Sequence, residues 1–422
     1  MLAKTEPVWR YWLLVIVLAV GMIAAYLMAL VSLVAGVIFL TPRVAMPPVS
    51  ALFFFNLAWS SALIGALITR AFVSVLRPRP AASHTNGFIR ASAALLPWSM
   101  VVLVFQSVEQ SELAWLFLPP LVVIGAVVPV WWLLELARRR IDPLPDSRVW
   151  GIPALSLIIT IPFTLLASIF GLVLFFIGVA VHLMNRPELM AQLQPLMENL
   201  SRAQADPALI EQMTNILFGD PVIIALVISL VAGFVPLLEE LLKPLALWLF
   251  ASDRLTPAQG FLGGVLCGAA FGFWENINAL NNAGEGAGGG TVILVARVGS
   301  VLLHMTATGM LGWGMASFWQ QPRYWLRLAG SYLLAVGLHA GWNLFAILSA
   351  VPALPHIPLR LLPVESGAEN NLAWLALALL ALFNLFLLLF MNAHLRRSAA
   401  AVVYDPPPPP AEAENHEPQA RM

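Results

Sequence analysis

Five ionisable side chains stand inside long apolar stretches in the second half of this sequence. They are Glu239, Glu240, Glu275, His304 and His339. An ionisable group at the centre of a membrane costs about 2.5–3.5 kcal/mol or more, so five such burials without a use are hard to explain structurally. A carboxylate kept basic by desolvation can take a proton from water, and a histidine can donate to a leaving group or polarise a carbonyl. The set therefore predicts activation of water for hydrolysis.

The same side chains permit a metal site. Two imidazoles and a carboxylate can hold zinc or another divalent metal and leave one position open for water. The candidate ligands are Glu240, Glu275, His304 and His339. No His-Glu-x-x-His motif occurs in the chain, so a metal would have to be bound across several helices. Metal-dependent hydrolysis and metal-free, glutamate-dependent hydrolysis are equal alternatives at this point.

Helical spacing places further polar residues beside these five, because residues four apart share one helix face. Lys243 follows Glu239 by one turn, whereas Glu240 is rotated by about 100° from Glu239 and should have a different role. Thr308 follows His304 in the same way, and Asn343 follows His339. We therefore predict a supporting set, which consists of Lys243, Asn276, Asn343, Arg297 and Thr308.

The composition indicates which elements position these residues. The 422 residues are 60% hydrophobic and 10% charged, against about 25% charged in soluble domains, so an integral membrane protein is expected. A span needs about 20 mostly apolar residues. We predict an all-α, polytopic transmembrane helix bundle of about ten spans, at residues 12–40, 49–76, 91–107, 113–135, 152–182, 222–250, 260–281, 291–318, 325–350 and 371–392.

Lysine and arginine give the predicted orientation, because they concentrate in the cytoplasmic loops of membrane proteins. With both termini cytoplasmic, only Arg43, Arg186, Arg202 and Arg360 fall in loops on the outer side. The 22 Lys and Arg balance 22 Asp and Glu, so no basic face for nucleic acid is expected. The predicted surroundings are the lipid bilayer of a cell membrane.

Depth in the membrane predicts that the polar groups meet. Glu239, Glu275, His304 and His339 each lie 11–15 residues from the expected inner end of a span, which is about 16–22 Å at 1.5 Å per residue. Four neighbouring helices can thus bring them together near the bilayer centre. Separation of the glutamates from the histidines by more than about 10 Å would contradict this, because both must reach one water molecule.

The chain divides by composition into five regions. We predict a five-span region of unknown role at 1–183, an external amphipathic loop with short surface helices at 184–220, and a four-span core at 221–350 that holds the chemistry. An external loop and the last span follow at 351–395. Residues 396–422, with five consecutive prolines and few apolar residues, are predicted to be a disordered cytoplasmic tail.

Four stretches of the core resemble the PrsW family of intramembrane peptidases, which are relatives of the CAAX-processing and bacteriocin-immunity membrane peptidases. The first stretch, 239–243, is similar to the family's Glu-Glu-x-x-Lys motif, and 272–276 is similar to its Phe-x-Glu-Asn motif. His304 with Thr306, Thr308 and Gly309 resembles the third motif, and 339–343 resembles the fourth, His-x-x-x-Asn. The resemblance covers about residues 221–350.

The resemblance implies an intramembrane protease that cleaves a membrane-anchored protein in the bacterial cytoplasmic membrane, with the glutamates and histidines as its active centre. The namesake activity of the family is regulatory cleavage of an anti-sigma factor, so an anti-sigma-factor-like substrate is one expectation. A proton- or cation-coupled transporter is the alternative function, because intramembrane Glu, His and Lys serve transport equally well. A catalytically inactive membrane scaffold is a third.

Overall fold

The computed structural model describes residues 8–40, 48–78, 86–141, 143–202, 206–249, 255–282, 289–350 and 368–403. Within these ranges the chain is helical and contains no strand, which confirms the predicted all-α bundle. The helices are α1 Val8–Phe39, α2 Pro48–Leu76, α3 Gly87–Glu109, α4 Ala114–Ala137, α5 Asp146–Leu155, α6 Ile161–Met184, α7 Pro187–Arg202, α8 Pro207–Phe218, α9 Pro221–Ile228, α10 Val235–Leu242, α11 Leu245–Trp248, α12 Pro257–Asn282, α13 Gly289–Gln320, α14 Trp325–Ala350 and α15 Ala368–Val403.

Two spans contain a wide, π-helical turn where neighbouring helices join. Ser156–Thr160 connects α5 to α6, and Ser229–Phe234 connects α9 to α10. Such turns insert an extra residue into an α-helix and occur often at functional sites. The second turn lies directly before the helix that carries Glu239 and Glu240, and α10 then ends at Leu242, before Pro244.

Nine helical runs within the described ranges are long and apolar enough to cross a membrane, so the chain is a multi-pass membrane protein. They correspond to nine of the ten predicted spans. The remaining predicted span, 260–281, is helix α12, which is not apolar enough to be counted with them. Ten spans and cytoplasmic termini therefore remain predictions.

A ladder of glycines explains both the weak hydropathy of α12 and its place in the bundle. Gly260, Gly264, Gly268 and Gly272 recur every four residues and face α13. A Cβ atom at Gly268 would lie 2.6 Å from the carbonyl carbon of His304, which leaves no room for a side chain. Small residues of this kind let two membrane helices approach until their backbones touch. The α12–α13 pair therefore fixes Glu275 and His304 against each other.

The first five spans pack on the predicted core rather than standing apart from it. Leu18, Ile68, Leu133 and Leu155 belong to the same buried apolar cluster as Phe261 of α12. Two charged pairs lie in these spans: Arg70 donates to Asp146 at 2.8 Å, and Arg138 binds Glu135. The predicted boundary at residue 183 remains a prediction, but both sides share one core.

The segment predicted as an amphipathic loop contains two helices, α7 and α8. Leu189 and Leu193 of α7 are buried against Ile223 at the start of α9. Asp220 caps α9, because its carboxylate accepts hydrogen bonds from the amides of Val222 and Ile223. Helix α7, which follows α6, thus packs against the start of the span that carries Glu239 and Glu240.

The end of the chain departs from its prediction. Helix α15 continues to Val403, so residues 396–403 are helical and the predicted start of the disordered tail at 396 is wrong. Three consecutive alanines, 399–401, favour helix more strongly than any other residue type, and this explains the extension. Residues 404–422 and 351–367, which include the proline run and most of the predicted last external loop, lie outside the described residues.

Candidate active site

Four helices bring their ionisable residues to one buried cluster. Glu239, Glu240 and Lys243 come from the end of α10, and Glu275 comes from α12. Arg297 and His304 lie on α13, and His339 lies on α14. His339 Nδ1 is 2.9 Å from Glu240 Oε1, and His304 Nε2 is 2.6 Å from Glu275 Oε2. The predicted meeting of carboxylates and imidazoles is therefore observed, well inside the 10 Å limit.

Lys243 lies at the centre of the cluster. Its ammonium nitrogen donates to Glu240 Oε1 at 2.6 Å and to His304 Nδ1 at 2.9 Å, and it is 3.4 Å from His339 Nδ1. Glu239 Oε2 lies 3.3 Å from the same nitrogen. The side chain is completely buried. Lys243 thus joins α10, α13 and α14 through one charged group.

The two adjacent glutamates have different surroundings, as their rotation around the helix predicted. Glu240 is completely buried, and its Oε1 binds both Lys243 and His339. Glu239 lines a cavity and Glu240 does not, although the Oε2 atom of each is buried without a hydrogen-bond partner among the described residues. His339 Nε2 is 3.8 Å from Glu239 Oε2. Glu239 is consequently the carboxylate of the pair that a water molecule can reach.

A second group of contacts holds Glu275. Arg297 Nη2 donates to Glu275 Oε2 at 2.7 Å, and Arg297 Nε donates to Asn276 Oδ1 at 2.8 Å. Because His304 Nδ1 accepts from Lys243, His304 Nε2 must carry the hydrogen that it donates to Glu275. Arg297 therefore lies in the cluster, and both it and Asn276 take part as the sequence predicted.

Two supporting residues do not bind the imidazole with which they share a helix face. Asn343 was expected to orient His339, but its amide donates instead to the carbonyl of Val231 at 2.9 Å. That carbonyl belongs to the π-helical turn between α9 and α10, where the local ladder of hydrogen bonds is irregular. Thr308 is buried one turn beyond His304, and its hydroxyl has no hydrogen-bond partner among the described residues, so it does not bind the cluster.

Sequence reasoning missed two members of the cluster. Ser300 Oγ lies 3.3 Å from His304 Nε2, and its position one turn before His304 was a usable signal. Phe271 places its ring 4.3 Å from the ammonium of Lys243 and packs edge-on against His304. No spacing rule within one helix points from Phe271 to a lysine on another helix.

A cavity of about 420 Å³ opens beside the cluster, between the α9–α10 run and α14. Glu239, Glu275 and His339 supply its ionisable wall. The rest of the lining is mainly apolar and consists of Val231, Val235, Asn343, Ala346 and Ile347. His304, Glu240 and Lys243 are absent from this lining and lie behind it. The cavity can therefore offer water and a peptide segment to two carboxylates and one imidazole.

The types of the side chains in the cluster suit a metal ion, but their present arrangement does not. Glu240, His304 and His339 each offer one ligand atom, and these atoms lie within 4.8 Å of one another, so this buried group could hold an ion. The ammonium of Lys243, however, already contacts one donor atom of each of these residues: Glu240 Oε1, His304 Nδ1 and His339 Nδ1. Glu275, the fourth predicted ligand, faces Arg297 and the other nitrogen of His304. With Lys243 in place, the residues do not fit a metal.

Comparison with known proteins supports the family resemblance. Residues 161–364 match the family described as PrsW family intramembrane metalloprotease. The match includes the π-helical turn Ser229–Phe234, all four motifs and every residue of the cluster. No curated protein and no solved structure matches the chain significantly.

Proposed function

We propose, from the premise that residues 161–364 belong to the PrsW family of intramembrane metalloproteases, that this chain hydrolyses a peptide bond of a membrane-anchored protein. One observation carries the proposal: Glu239, Glu275 and His339 line a single cavity beside a buried, fully connected polar cluster. The peptide bond of the substrate would be cut beside these three side chains of the enzyme.

Glu239 is the proposed general base. Its side chain lines the cavity together with His339, and its Oε2 lies 3.8 Å from His339 Nε2. The proposed attacking water occupies the cavity beside these two side chains. Glu240 is unsuited to this role, because its Oε1 binds Lys243 and His339 and the residue is fully buried behind the cavity lining. Glu239 would therefore take the proton as the water oxygen attacks the carbonyl carbon.

His339 is the proposed hydrogen-bond donor to the oxyanion. Its Nδ1 lies 2.9 Å from Glu240 Oε1, so Nδ1 carries a hydrogen and Nε2 points to the cavity side. Glu239, Glu240 and Glu275 carry three negative charges against the positive charges of Lys243 and Arg297. A proton on His339 would complete neutrality, which a membrane interior favours. Nε2–H would then stabilise the tetrahedral oxyanion.

The second half of the reaction returns the protons. The carbon–nitrogen bond breaks as the protonated Glu239 gives its proton to the leaving amine, and the products are a carboxylic acid and an amine. Glu275 would stay ionised, held by Arg297 and His304, and would define the opposite side of the cavity. His304 would be a positioning residue, since it is buried and binds Glu275 and Lys243 rather than the cavity.

The proposed substrate is a membrane-anchored protein with an apolar segment. Val231, Val235, Ala346 and Ile347 form the apolar part of the cavity, an apolar groove between the α9–α10 run and α14. Such a groove suits aliphatic side chains better than charged ones. Regulated cleavage of an anti-sigma-factor-like protein in a bacterial cytoplasmic membrane is one specific form of this proposal.

The test compares membrane proteins in cells that express the wild type, Glu239→Gln or His339→Ala at matched levels. Glu112→Gln, an exposed glutamate between α3 and α4, is the matched control. We expect fragments of a membrane protein with the wild type and the control, and their loss with both site variants. Fragments should then be reproduced by the purified protein in liposomes. Fragments that persist in Glu239→Gln would exclude this carboxylate as the base.

Cation-coupled transport is the second candidate, because the π-helical turns at Ser156–Thr160 and Ser229–Phe234 interrupt two spans. Transporters often place their sites at interrupted helices in two repeats. Here the ionisable cluster involves only the second turn. Liposomes that hold the purified protein and a pH-sensitive dye would separate the functions: proton flux that depends on Glu239, without fragments, would favour transport.

A further inference from the structure

The position of Lys243 carries an inference about the cation that this centre binds. Glu240, His304 and His339 are the candidate metal ligands, and the Lys243 ammonium lies within 3.4 Å of one donor atom of each, namely Glu240 Oε1, His304 Nδ1 and His339 Nδ1. A zinc ion binds a carboxylate oxygen at about 2.0–2.2 Å, so an ion on Glu240 Oε1 would lie at most about 4.8 Å from Nζ. Two cations would share one buried pocket.

The surroundings of the nitrogen suit an ammonium group. An ammonium has three hydrogens to donate; it finds Glu240 Oε1 and His304 Nδ1 as acceptors, and Glu239 Oε2 forms an ion pair with it at 3.3 Å. The ring of Phe271 lies 4.3 Å from Nζ, which is a favourable contact for an organic cation and supplies nothing to a metal ion. The lysine stem is also completely buried, so the helix end holds the amine in this position.

We propose that the ammonium of Lys243 is the resident cation of the Glu240–His304–His339 centre, that it excludes a divalent metal from the wild-type protein, and that removal of the amine creates a metal site. The centre then differs from the metal-dependent type that the family description names. The inference concerns binding alone. Its test measures metal binding rather than activity, so the result does not depend on whether the chain is a protease.

Cobalt provides the test, since Co²⁺ replaces Zn²⁺ in sites of nitrogen and oxygen ligands and absorbs visible light when it is bound there. The full-length wild type and Lys243→Met are purified in detergent, stripped with a chelator and titrated with Co²⁺. Methionine keeps the length of the lysine stem and removes its charge. We expect no specific band for the wild type and one bound Co²⁺ per chain for Lys243→Met. The double variant Lys243→Met/His304→Ala should lose that band.

The metal content of the untreated wild type is the second measurement, and it does not depend on whether Lys243→Met folds. We expect much less than one zinc or other transition metal per chain by mass spectrometry. The proposal would be overturned if the wild type held a stoichiometric amount of metal and His304→Ala or His339→Ala removed it. The lysine would then have to leave the centre. A folded Lys243→Met protein that binds no Co²⁺ would also overturn it.

Discussion

Replacement of Gly268 by alanine tests whether close contact between α12 and α13 sets the geometry of the site. The added Cβ would lie 2.6 Å from the carbonyl carbon of His304 and 2.8 Å from Met305 Cα. Ordinary contacts between carbon atoms are about 3.5–4.0 Å, so the helices must separate by about 1 Å. The backbone that moves is that of His304 itself, whose Nε2 lies 2.6 Å from Glu275 Oε2.

The size of the effect follows from that displacement. Overpacking of a filled interior costs about 1–3 kcal/mol, so Gly268→Ala should lower the free energy of unfolding by this amount. A misplacement of about 1 Å in an active site can lower the rate about 100-fold. We therefore expect a larger loss of fragment release than the loss of stability alone would explain.

The assay uses the same substitution elsewhere in the membrane as its control. An added Cβ at Gly330 of α14 meets nothing within 4 Å, so Gly330→Ala should leave stability and turnover nearly unchanged. Both variants are compared by thermal unfolding in detergent and by fragment release in liposomes. If Gly268→Ala behaves like Gly330→Ala in both assays, close packing of α12 on α13 does not hold the site.

Three further perturbations test separate features. Asn343→Leu leaves the Val231 carbonyl without its donor and should lower the unfolding free energy by about 1–3 kcal/mol in a denaturation experiment. Ala346→Trp should fill the apolar groove and slow cleavage about tenfold or more, with little change in thermal unfolding. Burial raises the pKa of Asp220, but hydrogen bonds from His182 and from the Ile223 and Val222 amides outweigh burial and lower it. The stability advantage over Asp220→Asn should therefore be present above about pH 4, the ordinary pKa of an unfolded Asp, and shrink as pH falls further.

Each of these has its own control. For Asn343→Leu, Asn343→Asp keeps the side-chain shape and replaces the amide donor, so a loss with Leu but not with Asp would contradict the proposed hydrogen bond. For Ala346→Trp, equal cleavage of a large and a small apolar substrate would show that the groove does not hold the peptide. For Asp220→Asn, asparagine retains a helix cap, and a stability gap that stays constant from pH 7 to pH 3 would refute the linkage.

The sequence predicted the meeting of Glu239, Glu275, His304 and His339. This was possible because a residue's depth in the membrane and its position around its helix are unchanged when helices pack in a bundle. The choice between Glu239 and Glu240 required the structure, since the π-helical turn at Ser229–Phe234 changes the angle at which α10 presents its side chains. Gly233 within the turn and Pro236 directly after it, which has no amide hydrogen to donate, are the sequence features that accompany this irregularity. The unexpected partner of Asn343 has the same origin, because the turn supplies the Val231 carbonyl.

Hydropathy was a weaker guide to α12 than to the other spans. Glycine contributes little to an apolar average, yet glycine at every fourth position is what packs this helix deeply against α13. Spacing within one helix also could not predict that Lys243 lies at the centre of the cluster. Its contact with Glu239 follows from a separation of four residues, whereas its contacts with His304 and His339 depend on how three helices are arranged.

The glycine ladder has a mechanical consequence for how a peptide enters. Helices α12 and α13 touch along their backbones at Gly264 and Gly268, so they should move as one stiff body that carries Glu275 and His304. The opposite side of the cavity contains a π-helical turn whose Val231 carbonyl accepts a hydrogen bond from the Asn343 amide of α14. Any widening that admits a substrate should therefore occur by bending of the α9–α10 run, while Glu275 remains fixed and serves as the reference against which the incoming chain is aligned.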